Sequence, residues 1–145
     1  VVAIDISESA LDIANQNAVI NSLQDRIEFR LFDFMNDDLN SLGKFDLIVS
    51  NPPYVSESDY EFLEPELKNY EPKIALTDNS NGISFYKNII NMSDQLLNKP
   101  GKIYFELGMD QSIQVQKYFE QKYFENIKVT KDYSGIERII CGELK

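Results

Sequence analysis

The residues of this chain whose types and spacing carry the most chemical potential are Ser50-Asn51-Pro52-Pro53-Tyr54. The run from Phe45 to Val49 that leads into them is β-branched and apolar and reads as a buried strand. Neither proline offers a backbone N–H to a sheet ladder, so the strand must stop there. Asn51, placed before a proline, is pushed towards extended geometry. The chain therefore leaves a strand through a stiff elbow that carries a side-chain amide, two donor-free carbonyl units and an aromatic ring. A strand ending in a Pro-Pro turn accounts for the prolines. It does not account for Asn directly before them and Tyr directly after.

Two other apolar runs also end in polar groups, at Asp5 and at Asp33. In parallel α/β sheets ligands sit at the carboxyl ends of the strands, near the point where strand order reverses. An acidic residue closing the second strand of a nucleoside-binding sheet takes ribose hydroxyls. For Asp5 an equal rival is an acidic residue that offsets the dipole of the following helix. Asp33 is equally open to a turn role. Phe34 could stack on a purine or pack in the core.

The elements that must position these groups follow in order. Val1-Val2-Ala3-Ile4 reads as the end of a buried parallel strand. Ser7 or Ser9 can cap the next helix, and Ser9 with Asp12 resembles a capping box. Leu11, Ala14 and Ala18 recur at helical spacing, and Asn17 and Asn21 sit near the helix end. Ile27, Phe29 and Leu31 alternate with Glu28 and Arg30 and predict a second strand. A polar loop with Asp37, Asp38 and Gly43 leads to the strand before the elbow. From Val55 to Asn81 the chain is polar, acidic and without periodicity, and Pro65 and Pro72 rule out a long helix. A structureless stretch of this length is uncommon in a compact domain and marks a functional lid. After Gly82 a helix is predicted with Phe85, Ile89, Met92 and Leu96 on one face, and Pro100-Gly101 ends that connection. Ile103 to Leu107 is a fourth strand. Ile113, Val115 and Phe119 belong to a further helix, and a strand pair over 127–129 and 137–141 closes around Asp132-Tyr133-Ser134-Gly135. Strands alternating with helices predict an α/β fold with a mostly parallel sheet and an antiparallel C-terminal hairpin.

Composition bounds the chemistry. The 145 residues suit one domain with one core. A net charge of −10 opposes a nucleic-acid backbone as partner, because such affinity rests on Lys and Arg neutralising phosphates. The chain contains no histidine, which excludes Ser-His and Cys-His catalysis and His-ligated metal. Its one cysteine, Cys141, lies in an alternating run and reads as a buried strand residue, in keeping with a reducing cytoplasm. No segment approaches the ~20 apolar residues that span a bilayer. The chain starts without a methionine and already inside an apolar run, so Val1 reads as an interior position.

The segment Phe45 to Val55, centred on Asn-Pro-Pro-Tyr, resembles the catalytic motif of amino-group methyltransferases that use S-adenosylmethionine. It is most similar to the protein-(glutamine-N5) methyltransferases that modify peptide chain release factors. The likeness covers nearly the whole chain. It includes Asp5-Ile6-Ser7 with Ala10, Leu11, Ala14 and Asn17; Tyr70-Glu71-Pro72 with Ala75-Leu76; Gly82 to Tyr86; Glu106-x-Gly108-x-x-Gln111; and Asp132-Tyr133-x-Gly135-x-x-Arg138. The resemblance implies a Rossmann-like class I methyltransferase sheet and S-adenosylmethionine as cofactor. Asp5 would bind its ribose, Asp33 and Phe34 its adenine end, and Asn51 would also face it. Asn51, Pro52, Pro53 and Tyr54 would hold the substrate amide, with Asn51 as the catalytic residue. The implied partner is a release factor presenting a glutamine in a Gly-Gly-Gln loop.

A carboxamide nitrogen is a poor nucleophile, because its lone pair is delocalised. The Asn51 oxygen and the Pro52 carbonyl can each accept one of its N–H groups and aim the nitrogen in line with the methyl. Tyr54 can close over the planar amide. The family's Gly-x-Gly-x-Gly cofactor loop and its first, central strand have no counterpart in the sequence. The expectation is therefore that residues 1–145 form the C-terminal part of a single methyltransferase domain, with two half-sheets left unpaired on their inner edges, and that the isolated chain binds cofactor weakly and is inactive. The family's N-terminal helical domain also has no counterpart. Two rival functions stay open: an adenine-N6 nucleic-acid methyltransferase, which shares the Asn-Pro-Pro-Tyr chemistry, and a non-catalytic remnant.

Overall fold

The computed structural model describes residues 1–145 and divides into two units, Val1–Ser41 and Leu42–Lys145. The first unit is a strand–helix–strand. β1 (Val2–Asp5) pairs in parallel with β2 (Glu28–Leu31), in a register that runs from Val2 opposite Glu28 to Asp5 opposite Leu31. α1 (Glu8–Ile20) joins them. Ser7 caps it, its hydroxyl accepting the Ala10 N–H at 3.2 Å, and Ser9 stands inside the first turn rather than at the cap. The helix closes on a left-handed residue, Ser22 (φ 58°). There Leu23 N–H bonds Ala18 O at 2.8 Å and Ser22 N–H bonds Val19 O at 3.0 Å, the two crossed bonds of a Schellman closure. Ala18 is buried, while Leu11 and Ala14 are half-buried.

The second unit holds a four-stranded sheet in the order β3-β4-β6-β5. β3 (Phe45–Ser50) runs parallel to β4 (Leu97–Glu106), which pairs antiparallel with β6 (Glu137–Leu144), and β6 pairs antiparallel with β5 (Phe124–Lys131). The C-terminal hairpin is as the sequence predicted. Its turn is held by Asp132, whose Oδ1 accepts the Ser134 and Ile136 N–H groups at 2.8 and 3.0 Å. β4 begins earlier than expected and takes in Pro100-Gly101, with a register shift against β3 between Phe45 and Leu47.

Alternation from Gly101 onward in β4, continued by Leu107 just beyond it, builds the core. Ile103, Phe105 and Leu107 are buried while Lys102, Tyr104 and Glu106 face out. Onto that face pack Tyr86 of α5 (Ser84–Asn91) and Phe119 of α7 (Ser112–Gln121), and Ile90 and Val115 of the same helices are fully buried. Phe105 is the hub: its ring lies 5.2 Å edge-on from Tyr86 and 5.8 Å from Phe119.

Four expectations are corrected. The helix after Gly82 is not continuous. It breaks at Met92 into α5 and α6 (Ser93–Leu96), and Tyr86 rather than Phe85 is fully buried. The acidic stretch is not structureless, since it forms α2 (Glu57–Tyr60), α3 (Pro65–Tyr70) and α4 (Lys73–Leu76). The prolines that forbid one long helix here start two short ones, Pro65 in the first turn of α3 and Pro72 as the N-cap of α4. Ile113 does not join the core of α7, being 71% exposed. Finally, β3 is not a buried strand, because Leu47 and Val49 are 52% and 71% exposed. In its sheet β3 has a strand neighbour on one side only, as does β1 in its own sheet. No helix is long and apolar enough to cross a membrane.

Candidate active site

In the first unit, parallel pairing brings Asp5 and Asp33-Phe34 to the same carboxyl end of the two strands, where Phe32 N–H bonds Asp5 O at 2.9 Å. Asp5 is exposed and is oriented by the Ser7 N–H, which its Oδ1 accepts at 2.8 Å. Asp33 is committed to its own turn: Oδ1 accepts Met35 N–H and Oδ2 accepts the Asn36 side chain, each at 2.8 Å. The Asn36 bond, with backbone support, holds its carboxyl below the ordinary aspartate range. Phe34 is half-buried.

In the second unit, β3 ends at Ser50, opposite Phe105, and the elbow follows at once. Pro52 is buried and Pro53 and Tyr54 half-buried, whereas Asn51 is exposed. The chain is thus anchored one residue beyond the amide and leaves the amide itself facing out. The Tyr54–Val55 peptide is fixed at both ends. Its carbonyl accepts Gln111 Nε2 at 2.8 Å, and its N–H donates to Leu76 O at 2.9 Å. Val55 also bridges Thr77 in parallel, which ties the acidic insertion back to the elbow. The Tyr54 hydroxyl lies 3.5 Å from Glu106 Oε1 at the end of β4. Burial, reinforced by the Glu106 charge and only partly offset by Arg138, raises the Tyr54 phenol, so it stays a neutral donor. Behind it the buried Tyr86 hydroxyl donates to Glu106 O at 2.9 Å. Burial pushes the Tyr86 phenol far up as well.

Two supporting residues were not given a role from sequence. Gln111, at the start of α7, joins three segments: its Nε2 also reaches Gly82 O at 3.3 Å, and its Oε1 accepts Gly108 N–H at 3.0 Å. Asp78 holds the loop that delivers Gly82. It accepts Ser80 and Gly82 N–H through Oδ1, both at 2.9 Å, and Ser84 N–H through Oδ2 at 3.0 Å. The composition of Asp78-Asn79-Ser80-Asn81-Gly82 marks a loop but not which groups it clasps. Near the hairpin, Arg138 Nε lies 3.5 Å from Asp132 Oδ2, and Tyr133 is fully exposed. Tyr70 is exposed at the end of α3, while Glu71 and Pro72 link α3 to α4.

Asp78 carries a pH prediction. Burial, the largest single influence, raises its carboxyl, but the Ser84 side chain and the N–H groups of Ser84, Gly82 and Ser80 together outweigh it and the net shift is downward. A depressed folded-state value contributes stability that is complete above the ordinary 3.8 and is lost as pH falls through the lower folded value. In urea titrations the stability gap between the wild type and Asp78→Asn should be widest near neutrality and close in acid. A gap independent of pH would show that the Asp78 charge does not support this loop.

A family model described as Eco57I restriction-modification methylase matches residues 1–140. The chain belongs to this methylase family. The chain is 42% identical over 145 residues to the release factor glutamine methyltransferase of Fusobacterium nucleatum, with 99% of this chain and 40% of that protein aligned. It is 39% identical over 146 residues to the protein of the same name from Enterococcus faecalis, with 99% of this chain and 50% of the relative aligned. The chain thus spans about half the length of the curated relatives it matches. Those relatives carry the name that the sequence resemblance implied. Among solved structures, a ribosomal protein L11 methylase from Lactobacillus delbrueckii subsp. bulgaricus superposes with a TM-score of 0.62 at 21% identity, covering 99% of this chain and 56% of that one. The fold of this methylase is therefore the class I methyltransferase fold, with the mainly parallel α/β sheet and antiparallel C-terminal hairpin expected from sequence.

Proposed function

We propose that this chain provides the amide-holding side of a reaction that moves a methyl group from S-adenosylmethionine to the side-chain amide nitrogen of a glutamine in a peptide chain release factor. The observation that carries the reading is the elbow: Asn51 exposed at the carboxyl end of β3, Pro52 buried directly after it, and the Tyr54–Val55 peptide bound at both ends. The names of the relatives support the substrate.

The chemistry of the donor set fits the cofactor. An exposed carboxylate at the end of β1 suits a pair of ribose hydroxyls, and the half-buried Phe34 ring suits one face of a purine. Asp33 would act through the turn it orders, since each of its oxygens already accepts a turn bond. S-adenosylmethionine, when bound, supplies a methyl on a positively charged sulfur. Everything else falls to the protein's own groups. The Asn51 side-chain oxygen and the Pro52 carbonyl accept the two N–H groups of the substrate amide and fix its plane. As the N–C bond formed, the methyl–sulfur bond would break, its electron pair returning to sulfur to leave a neutral thioether; positive charge would grow on the nitrogen, and both acceptors would strengthen with it. One N–H proton then leaves to solvent, and the methylated amide is neutral again. Orientation of this kind contributes ~7–11 kcal/mol in favourable systems. Tyr54, held neutral, closes over the amide without adding charge.

We further propose that residues 1–145 make up the C-terminal part of one methyltransferase domain, a reading supported by the free edges of β1 and β3 and by the half-length match to the relatives. The second reading, methylation of adenine N6, is favoured by the description of the family model and opposed by the charge of −10. The deciding experiment incubates the full-length protein and labelled S-adenosylmethionine with a release factor, with its Gln→Ala variant at the acceptor loop, and with duplex DNA. Label on the unaltered release factor alone is expected. Label on DNA alone would replace this reading by the second.

A further inference from the structure

We infer that Gln111 is a positioning residue for the amide site, acting on the elbow through the Tyr54 carbonyl; this deepens the reading of Asn51–Tyr54 as the amide-holding segment and rests on it. The Tyr54–Val55 peptide group is the point where the elbow meets the rest of the unit. Leu76 O accepts its N–H at 2.9 Å, and Gln111 Nε2 donates to its carbonyl at 2.8 Å. With both ends bound the peptide plane is held, and with it the backbone position from which the Tyr54 ring and the Pro52-Pro53 frame extend. Gln111 is itself fixed by the first turn of α7, where Val115 N–H bonds its carbonyl at 3.0 Å, and by Gly108 N–H on its Oε1.

The job requires a carboxamide. One end must donate to Tyr54 O and Gly82 O, and the other must accept from Gly108 N–H. A carboxylate of the same shape keeps the acceptor but sets oxygen against two carbonyl oxygens. The glycines on either side allow this closeness. A Cβ on Gly108 would stand 2.6 Å from Gln111 Oε1 and 2.9 Å from Tyr54 Cδ2. Both ends of the Gln111 side chain are taken up by Tyr54, Gly82 and Gly108. Its effect passes through backbone geometry, where a misplacement of about 1 Å costs on the order of a hundredfold in rate.

The test compares the full-length wild type with Gln111→Glu and Gln111→Met, the latter also standing in should the half-buried carboxylate prevent folding. Amide hydrogen exchange at Val55 and Gly108 is read first, because it does not depend on which molecule is methylated. Faster exchange is expected at Val55 in both variants and at Gly108 in Gln111→Met, which lacks the acceptor, with the β4 and β6 amides unchanged. On the release factor, kcat should fall by about ten- to hundredfold with little change in the KM for S-adenosylmethionine. Unchanged exchange, or a wild-type kcat in a folded variant, overturns the inference. So does a parallel loss of kcat and cofactor affinity, which would mark a general structural role. If exchange responds but the wild type itself leaves the release factor unmethylated, the function proposed above fails while the clasp on the elbow stands.

Discussion

Asn51→Ala is expected to remove most methyl transfer, lowering kcat on the order of 10²–10³-fold, as the loss of one well-placed hydrogen-bonding partner of a transition state does elsewhere. The affinity for S-adenosylmethionine should change much less, because in the proposed reaction the lost group aims the nucleophile. Stability should hardly move. Asn51 is exposed, and surface positions of this kind shift stability by roughly 0.5 kcal/mol or less. Loss of rate without loss of fold is therefore the signature, read from single-turnover kinetics beside thermal unfolding of the same variant. Near-normal turnover in Asn51→Ala would remove the elbow from the mechanism. A collapse of stability would mean that the side chain serves the turn and not the substrate.

Gly82→Ala should be the most damaging single methyl group in the second unit. Gly82 has φ +75°, and a Cβ there would stand 2.2 Å from the Tyr54 carbonyl oxygen, a distance no real contact reaches. Two effects combine: left-handed backbone strain of about 1 kcal/mol for a non-glycine residue, and displacement of the elbow, worth about 1–3 kcal/mol as overpacking. Gly43 and Gly135 separate them. Both have positive φ, at +77° and +81°, with nothing within 4 Å of a built Cβ. Their alanine variants should therefore show only the strain. Chemical denaturation should place Gly82→Ala about 2–4 kcal/mol below wild type and the two controls nearer 1. Turnover of surviving Gly82→Ala should also fall, since the clash is with the carbonyl that Gln111 holds. Equal losses at all three glycines would show that the contact with Tyr54 relaxes freely.

The legible part of this protein is the part written in adjacent residues. Asn51-Pro52-Pro53-Tyr54 could be read directly because proline removes N–H groups and restricts the residue before it wherever it occurs. The hairpin was legible for the same reason: Asp132 and Gly135 make a turn from local groups, and alternation along 137–141 marks a strand. The misread segments are those whose outcome depends on distant partners. Phe45 to Val49 has the composition of a buried strand, but burial needs something to lie against it, and Val49 is 71% exposed. Phe85 fits the helical stripe after Gly82, yet the break at Met92 and the position of Phe105 make Tyr86 the buried ring.

What the sequence by itself determined, then, is the chemistry on offer: a rigid amide-bearing elbow, acidic strand ends, no histidine, and an α/β alternation to carry them. What only the tertiary structure decided is how the elbow is held. Gln111 lies 57 positions from Tyr54 and Gly82 lies 29 from Gln111. A glutamine in a polar turn has no local signature for such a task, because a hydrogen bond between remote segments exists only once the core around Phe105 has brought β4, α5 and α7 together.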